Sequence, residues 1–218
     1  MKVNINVPEH LGEITLGQYQ RFLNLDLDGK QNSYLFQKVI EIFCDVDLKD
    51  IASFRFNSMA EVANDIQNLF AEKTPLIPSF KMNGTTYGMI PKLDDMSLGE
   101  YIDLDNYFHD WDTMHKAMTV LFRPLKYKKG DKYLIEQYEA GMDHDKMKQM
   151  PLNVVFGAKV FFYNLGNELL NHTLNFLKQE VTGLSVQQRK ILEQSGDGIQ
   201  AFMDLQRGTF PNSTTSHD

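Results

Sequence analysis

The chain has 218 residues, 42% hydrophobic and 23% charged, with a net charge of −7. That length suits one large domain or two small ones and can bury a real core. The acidic balance argues against a nucleic-acid binder, which needs a basic face to displace counterions from phosphates. Cys44 is the single cysteine, so an internal disulfide is excluded.

Phe (15), Met (11) and Tyr (9) are abundant, which fits an adaptable apolar core or a partner surface, with core the commoner use. The most apolar stretch, 152–163, is broken by Lys159 and is too short to span a bilayer. The N-terminus alternates apolar and polar residues and lacks the long apolar run of a signal peptide.

Residues 2–7 place Val3, Ile5 and Val7 on one side, a strand pattern that Pro8 ends. Thr15-Leu16-Gly17-Gln18 is a capping box that opens a helix carrying Tyr19, Phe22 and Leu23, with Gly29 at the exit turn. A second helix is expected from Ser33 to Cys44, with Leu35, Phe36, Val39, Ile40 and Phe43 inward. Cys44 then reads as a small buried hydrophobe. Ser58-Met59-Ala60-Glu61 reads as a second capping box, ahead of Val62, Ile66, Leu69 and Phe70.

The period then changes to two. Residues 80–88 read as a hairpin turning at Asn83-Gly84, because both positions tolerate positive φ. Pairing with the N-terminal strand would make a small antiparallel sheet over 79–90. Ser97-Leu98-Gly99-Glu100 is a third capping box, opening a helix to about Tyr107. A further helix is expected from Trp111 to Phe122, stopped by Pro124. Residues 126–145 are polar and read as a long loop with a short strand at Tyr133-Leu134-Ile135.

The longest helix is expected from Pro151 to about Val181, its apolar face including Val155, Phe162, Leu165, Leu169 and Leu177. Gly157 and Gly166 weaken it or admit close packing. Ser185-Val186-Gln187-Gln188 reads as a fourth capping box, and 207–218, rich in Ser, Thr and Asn, as a flexible tail. The expected fold is α+β and predominantly helical, one domain over 1–206 with the small sheet packed on a helical core. A weak internal repeat is visible between 14–72 and 96–125: Ile14-Thr15-Leu16-Gly17-Gln18-Tyr19 matches Met96-Ser97-Leu98-Gly99-Glu100-Tyr101 at an offset of 82. Two similar helix starts explain it as well as duplication does.

Chemistry is sparse. Asn24-Leu25-Asp26-Leu27-Asp28-Gly29 matches the opening of a calcium loop, but the twelfth position is Leu35 instead of a bidentate Glu, so a helix end with a turn is the better reading. His109, Asp110, Asp112 and His115 fall within seven residues, and a metal-dependent hydrolase would use such a set. No second ligand pair completes a shell, and an Asp at a helix start beside a surface His is commoner. Asp143-His144-Asp145 reads as loop, and Ser195 sits in a helix stop. There is no phosphate-binding loop and no nucleophile elbow, so an enzyme is not expected and no metal or other cofactor is assigned.

Charge is segregated. From Asp94 to Asp112 there are seven acidic side chains and no Lys or Arg, followed by Lys126, Lys128, Lys129 and Lys132. Two solvated faces are the plain reading, and head-to-tail packing of copies, acidic face on basic loop, is the sharper one.

Three stretches, Glu13 to Tyr19, Leu98 to Asp105 and Met118 to Pro124, together with Phe161-Phe162-Tyr163-Asn164-Leu165-Gly166, resemble a group of small tailed-bacteriophage proteins described as tail assembly chaperones or virion proteins. The resemblance spans most of the chain up to the end of the long helix. It implies an assembly protein acting in the host cytoplasm, with other phage proteins (tape measure, tail or portal components) or further copies of itself as partners, and neither nucleic acid nor membrane. A chaperone would shelter apolar tape-measure helices in a groove, and a particle component would join copies in a ring. Phe156, Phe161 and Phe162 are then candidates for an apolar groove, and Asp103, Asp105, Lys128 and Lys129 for charged contacts.

Overall fold

The computed structural model describes residues 5–26, 32–52, 54–130, 132–139 and 141–182. The chain divides into two compact units, Met1–Phe162 and Tyr163–Asp218. The fold is α+β and mostly helical: the described residues hold seven α-helices and one four-stranded antiparallel sheet. None of these helices is long and apolar enough to cross a membrane.

The first unit opens with α1 (Leu16–Leu23), whose capping box forms as expected. The Gln18 amide N–H donates to Thr15 Oγ1 at 3.2 Å, and the Thr15 N–H donates to Gln18 Oε1 at 2.8 Å. Helices α2 (Asn32–Phe43), α3 (Leu48–Ile51) and α4 (Phe56–Leu69) follow. Helix α4 starts two residues before Ser58, with Arg55 at its cap and no side-chain cap bond, so the expected box at Ser58 does not open it. The apolar stripe of Met59, Ala63 and Ile66 fixes where this helix lies, whichever residue caps it.

Strands β1 (Ser79–Met82) and β2 (Thr85–Met89) form the expected hairpin. Asn83 and Gly84 hold φ of 50° and 79°, the left-handed pair that a two-residue turn requires. Beyond β2 come α5 (Leu98–Phe108) and α6 (Met114–Leu121), then β3 (Phe122–Lys129) and β4 (Lys132–Ile135). The sheet order is β1-β2-β3-β4.

Three expectations change here. The partner of the first hairpin is β3, with β4 added beyond it; residues 5–7 form no strand, and 1–4 lie outside the described residues. The first half of the expected 126–145 loop is a hairpin, whose second strand is the short strand expected at Tyr133-Leu134-Ile135: Tyr127 faces Leu134 and Lys129 faces Lys132, and Gly130 takes φ 59°. Pro124 does not stop α6, which has already become strand at Phe122 (φ −121°, ψ 122°). Pro124 sits inside β3, opposite Tyr87. Its carbonyl accepts from the Glu136 N–H at 2.9 Å, on the side where β4 has ended, so its missing N–H costs no ladder bond.

The last helix, α7 (Leu152–Thr182), has nearly the expected bounds. Its start is clipped to the start of α1: the Leu16 N–H donates to Met150 O at 2.9 Å, and the Leu152 N–H donates to Ile14 O at 2.8 Å. Leu152, Val154, Val155 and Ala158 are buried with Ile14, Leu16, Met114, Met118 and Phe122. Gly157 is the close-packing glycine, since a Cβ there would stand 2.2 Å from Pro75 O. Seven of the nine methionines among the described residues (59, 82, 89, 114, 118, 147 and 150) are buried, so Met there serves the core. In the second unit α7 continues to Thr182, with Leu165 and Leu169 exposed. Gly29, the capping box at Ser185, the turn at Ser195 and the 207–218 tail lie outside the described residues.

Candidate functional site

The capping box at Ser97 sets the phase of α5. The Ser97 N–H donates to Glu100 Oε2 at 2.7 Å, and Ser97 Oγ accepts the Glu100 N–H at 3.3 Å. Glu100 therefore points inward, where its second oxygen accepts from the Arg123 guanidinium at the start of β3. Both side chains are buried. Burial alone would raise the Glu100 carboxyl, but the Ser97 amide and Arg123 outweigh it and hold the pKa below the usual range. Arg123 also lies over the Tyr138 ring at 5.9 Å, and the Tyr138 hydroxyl donates to Asp103.

With Glu100 inward, the opposite face of α5 carries Leu98, Tyr101, Ile102 and Asp105, spaced i, i+3, i+4 and i+7. Leu98, Tyr101 and Ile102 are 74%, 60% and 48% exposed, an apolar cluster that the described residues leave uncovered. Asp94 and Asp95 are exposed just before the helix, and Asp105 is exposed beside His109, at 3.7 Å. Of the seven carboxylates in this stretch, Glu100 and Asp103 are thus used internally. Asp112 accepts from Asn24 Nδ2 at 2.7 Å, and Asp110 Oδ1 caps the Asp112 N–H at 3.0 Å.

The β3–β4 hairpin carries the opposite sign. Cross-strand partners point to the same face, so Tyr127 and Leu134 lie side by side with Lys129 and Lys132 next to them. Tyr127 and Leu134 are 58% and 63% exposed, and all four lysines (126, 128, 129 and 132) are exposed. The other face of the hairpin is anchored. The Tyr133 hydroxyl donates to Met89 O at 2.9 Å, and Leu125 and Tyr133 fill the space above Gly88.

The three candidate groove phenylalanines are half-buried and packed on the core. Phe156 joins Tyr19, Phe70 and Trp111 in an aromatic cluster, with centroids 5.4 Å from Tyr19 and 5.7 Å from Trp111. Phe162 packs edge-on against Phe108 and Phe161. Lys159, the charge that interrupts this apolar stretch, lays its ammonium 4.3 Å from the Trp111 ring centre; burial lowers its pKa, opposed by Asp110. Of the candidates for charged contacts, Asp103 is occupied by Tyr138, while Asp105, Lys128 and Lys129 are at the surface.

The histidines of the 109–115 stretch separate. His109 is exposed beside Asp105. His115 is buried, its Nδ1 3.1 Å from Gln20 Nε2, which also donates to Trp111 O at 2.6 Å and Asp112 O at 3.2 Å. His115 Nε2 lies 3.6 Å from Asp145. Burial first, then Lys148, lowers the His115 pKa, while Asp145 opposes them. Among the described residues no group of three His, Cys, Asp or Glu side chains is arranged to hold a metal. Half of the calcium-like stretch, from Leu27 on, lies outside the described residues. An open cleft of about 760 Å³ lies beside His115, with Arg21 and Lys148 among its lining residues. Cys44 is buried, and burial pushes its thiol up to about 11, which makes it unreactive at neutral pH.

Sequence reasoning missed the exposed apolar residues on both surfaces. The sign of charge was visible, but nothing local marks Leu98 or Leu134 as outward, since an outward Leu has the same sequence signature as an inward one. Comparison of the chain with protein-family models, with curated proteins and with solved structures gave no match.

Proposed function

We propose that the chain is a non-enzymatic bacteriophage assembly protein of the tail-assembly-chaperone kind, which binds other phage proteins in the host cytoplasm during morphogenesis. The observation carrying this reading is the outward apolar face of α5, formed by Leu98, Tyr101 and Ile102. It falls within one of the stretches on which the phage resemblance rests. An exposed apolar stripe at helical spacing is the kind of surface that accepts an amphipathic helix, as a tape-measure protein would present. The half-buried Phe156, Phe161 and Phe162 pack on the core, so α5 takes over from them as the proposed partner surface.

The second reading is a structural component of the particle, at the head-tail junction, in the tail or packaged inside. The pairing of an acidic apolar face with a basic apolar face on one chain favours it, since such faces join copies. Quantitative mass spectrometry of purified particles beside infected-cell lysate separates the two. Presence in the lysate with absence from the particle supports the chaperone, and coexpression should then solubilise a tape-measure fragment. A fixed ratio to capsid protein in the particle supports the component and rejects the chaperone.

A further inference from the structure

We infer that copies of this chain join head to tail, with the β3–β4 hairpin of one copy seated on the outer face of α5 of the next. The two surfaces have the same design with opposite charge. On α5, Leu98, Tyr101 and Ile102 share their face with Asp105, and the exposed Asp94 and Asp95 stand just before the helix, Asp95 3.9 Å from Lys92. On the hairpin, Tyr127 and Leu134 are flanked by Lys129 and Lys132. Each apolar centre alone is small and would be weakly held. Apposing them buries both centres and brings carboxylates onto ammonium groups. Pairing α5 with α5 would set Asp against Asp, and hairpin with hairpin would set Lys against Lys.

The geometry also directs the contact outward. The base of β3 is tied to the inner face of α5 by Arg123 and Glu100. From Arg123 to Lys129 the strand runs six residues, roughly 20 Å at the rise of an extended chain. The lysines therefore stand well away from the helix that their own strand base touches, and the outer face of that helix points away from Arg123. The hairpin is free to reach a neighbour. Because the joined patches are different parts of the chain, the contact is heterologous and builds a closed ring or an open filament, according to the rotation per copy.

The inference goes beyond the phage-assembly reading. It places the next copy on the same α5 face that the chaperone reading gives to a tape-measure helix, so self-association through that face favours the particle-component reading. The test needs only the purified full-length chain, and its failure leaves the phage-assembly reading standing. Sedimentation velocity is run across a concentration series at low and high salt. Ile102→Glu disables the α5 face, and Tyr127→Glu disables the hairpin face. Lys129→Glu with Lys132→Glu is a second hairpin variant, which leaves the apolar pair in place, and circular dichroism checks that each variant is folded. The wild-type chain is expected to form oligomers with rising concentration, weakened at least about tenfold between ~0.05 and ~0.5 M salt. Each folded variant alone is expected to be monomeric. An equal mixture of Ile102→Glu and Tyr127→Glu keeps one intact face of each kind, and should form a one-to-one dimer and nothing larger. A wild-type chain that stays monomeric up to the highest concentration overturns the inference. So does association that survives in either variant, or a mixture that remains monomeric.

Discussion

Glu100 holds two structural elements with one carboxylate: Oε2 accepts the Ser97 N–H that closes the cap of α5, and Oε1 accepts from Arg123 at the base of β3. The other capping box works the same way. Gln18 Oε1 accepts from the Thr15 N–H while its Nε2 donates to Ile42 O at the end of α2, at 2.9 Å. In both, the third helical residue caps its own helix and pins a neighbouring element, a local function that accounts for the repeated motif.

Removing one partner of the buried pair should be expensive. Glu100→Gln leaves the Arg123 charge buried without a counter-charge, and a loss of about 3–5 kcal/mol is expected. Replacing both, Glu100→Gln with Arg123→Met, should recover much of that loss, because the desolvated charge is gone as well. Denaturant unfolding of the three chains measures this. The pH sign follows from the lowered folded pKa: the contribution is present above the unfolded value near 4.5 and is lost as pH falls through the folded one. A single variant as stable as wild type would mean that the pair does not hold α5 to the sheet.

The two glycines of the repeated motif should respond oppositely. A Cβ on Gly17 would stand 3.0 Å from Lys148 O and 3.1 Å from Lys148 Cβ, whereas a Cβ on Gly99 meets nothing within 4 Å. Gly99→Ala should therefore stabilise by about 0.5–1 kcal/mol, through the lower backbone entropy of Ala. Gly17→Ala should destabilise by about 1–3 kcal/mol through crowding against backbone. Thermal melts of the pair test whether matching sequence means matching environment.

The same contrast shows what was legible in the sequence. Caps, helical stripes and the Asn83-Gly84 turn are local signals, and α1, α2, α5, α7 and the first hairpin appear where those signals stand. The second hairpin was obscured because its strands carry lysine at outward positions, so Lys126 to Lys132 reads as a solvated loop. Its local signals are the apolar run Tyr133-Leu134-Ile135, which marks β4, and Gly130 followed by Asp131, a two-residue turn pair in the sequence. Burial of the repeated motif was not legible at all. Leu16 is fully buried and Leu98 is 74% exposed, yet both follow a capping residue and precede a glycine. Which one meets a core depends on the 150–152 segment crossing beside α1, a long-range contact that no local pattern encodes.

Cys44 should resist thiol reagents in the folded chain. It is buried among Ile40, Phe43 and Val46, and burial raises its pKa to about 11, so the thiolate is scarce at neutral pH. Modification by a disulfide reagent at pH 7.5 should be undetectable until denaturant unfolds the chain, and should then reach one thiol per chain. Rapid labelling under native conditions would show that the segment around Cys44 opens.

His115 should make the fold sensitive to mild acid. Its ring is buried against Gln20, with Nδ1 taking the acceptor role, and burial and Lys148 hold its pKa below the ordinary value of 6.5. Asp145 on the Nε2 side opposes them but does not reverse the direction. Near pH 6 the unfolded chain therefore binds more protons at this residue than the folded chain does. Stability is complete above about pH 6.5 and falls as pH drops from there through the folded value. His115→Gln can still accept from Gln20 but does not titrate, so its melting temperature should change less than that of wild type between pH 7.5 and pH 5. Parallel melting curves for the two chains across that range would mean that protonation of His115 is not coupled to unfolding, and that the Gln20 contact opens without cost to the fold.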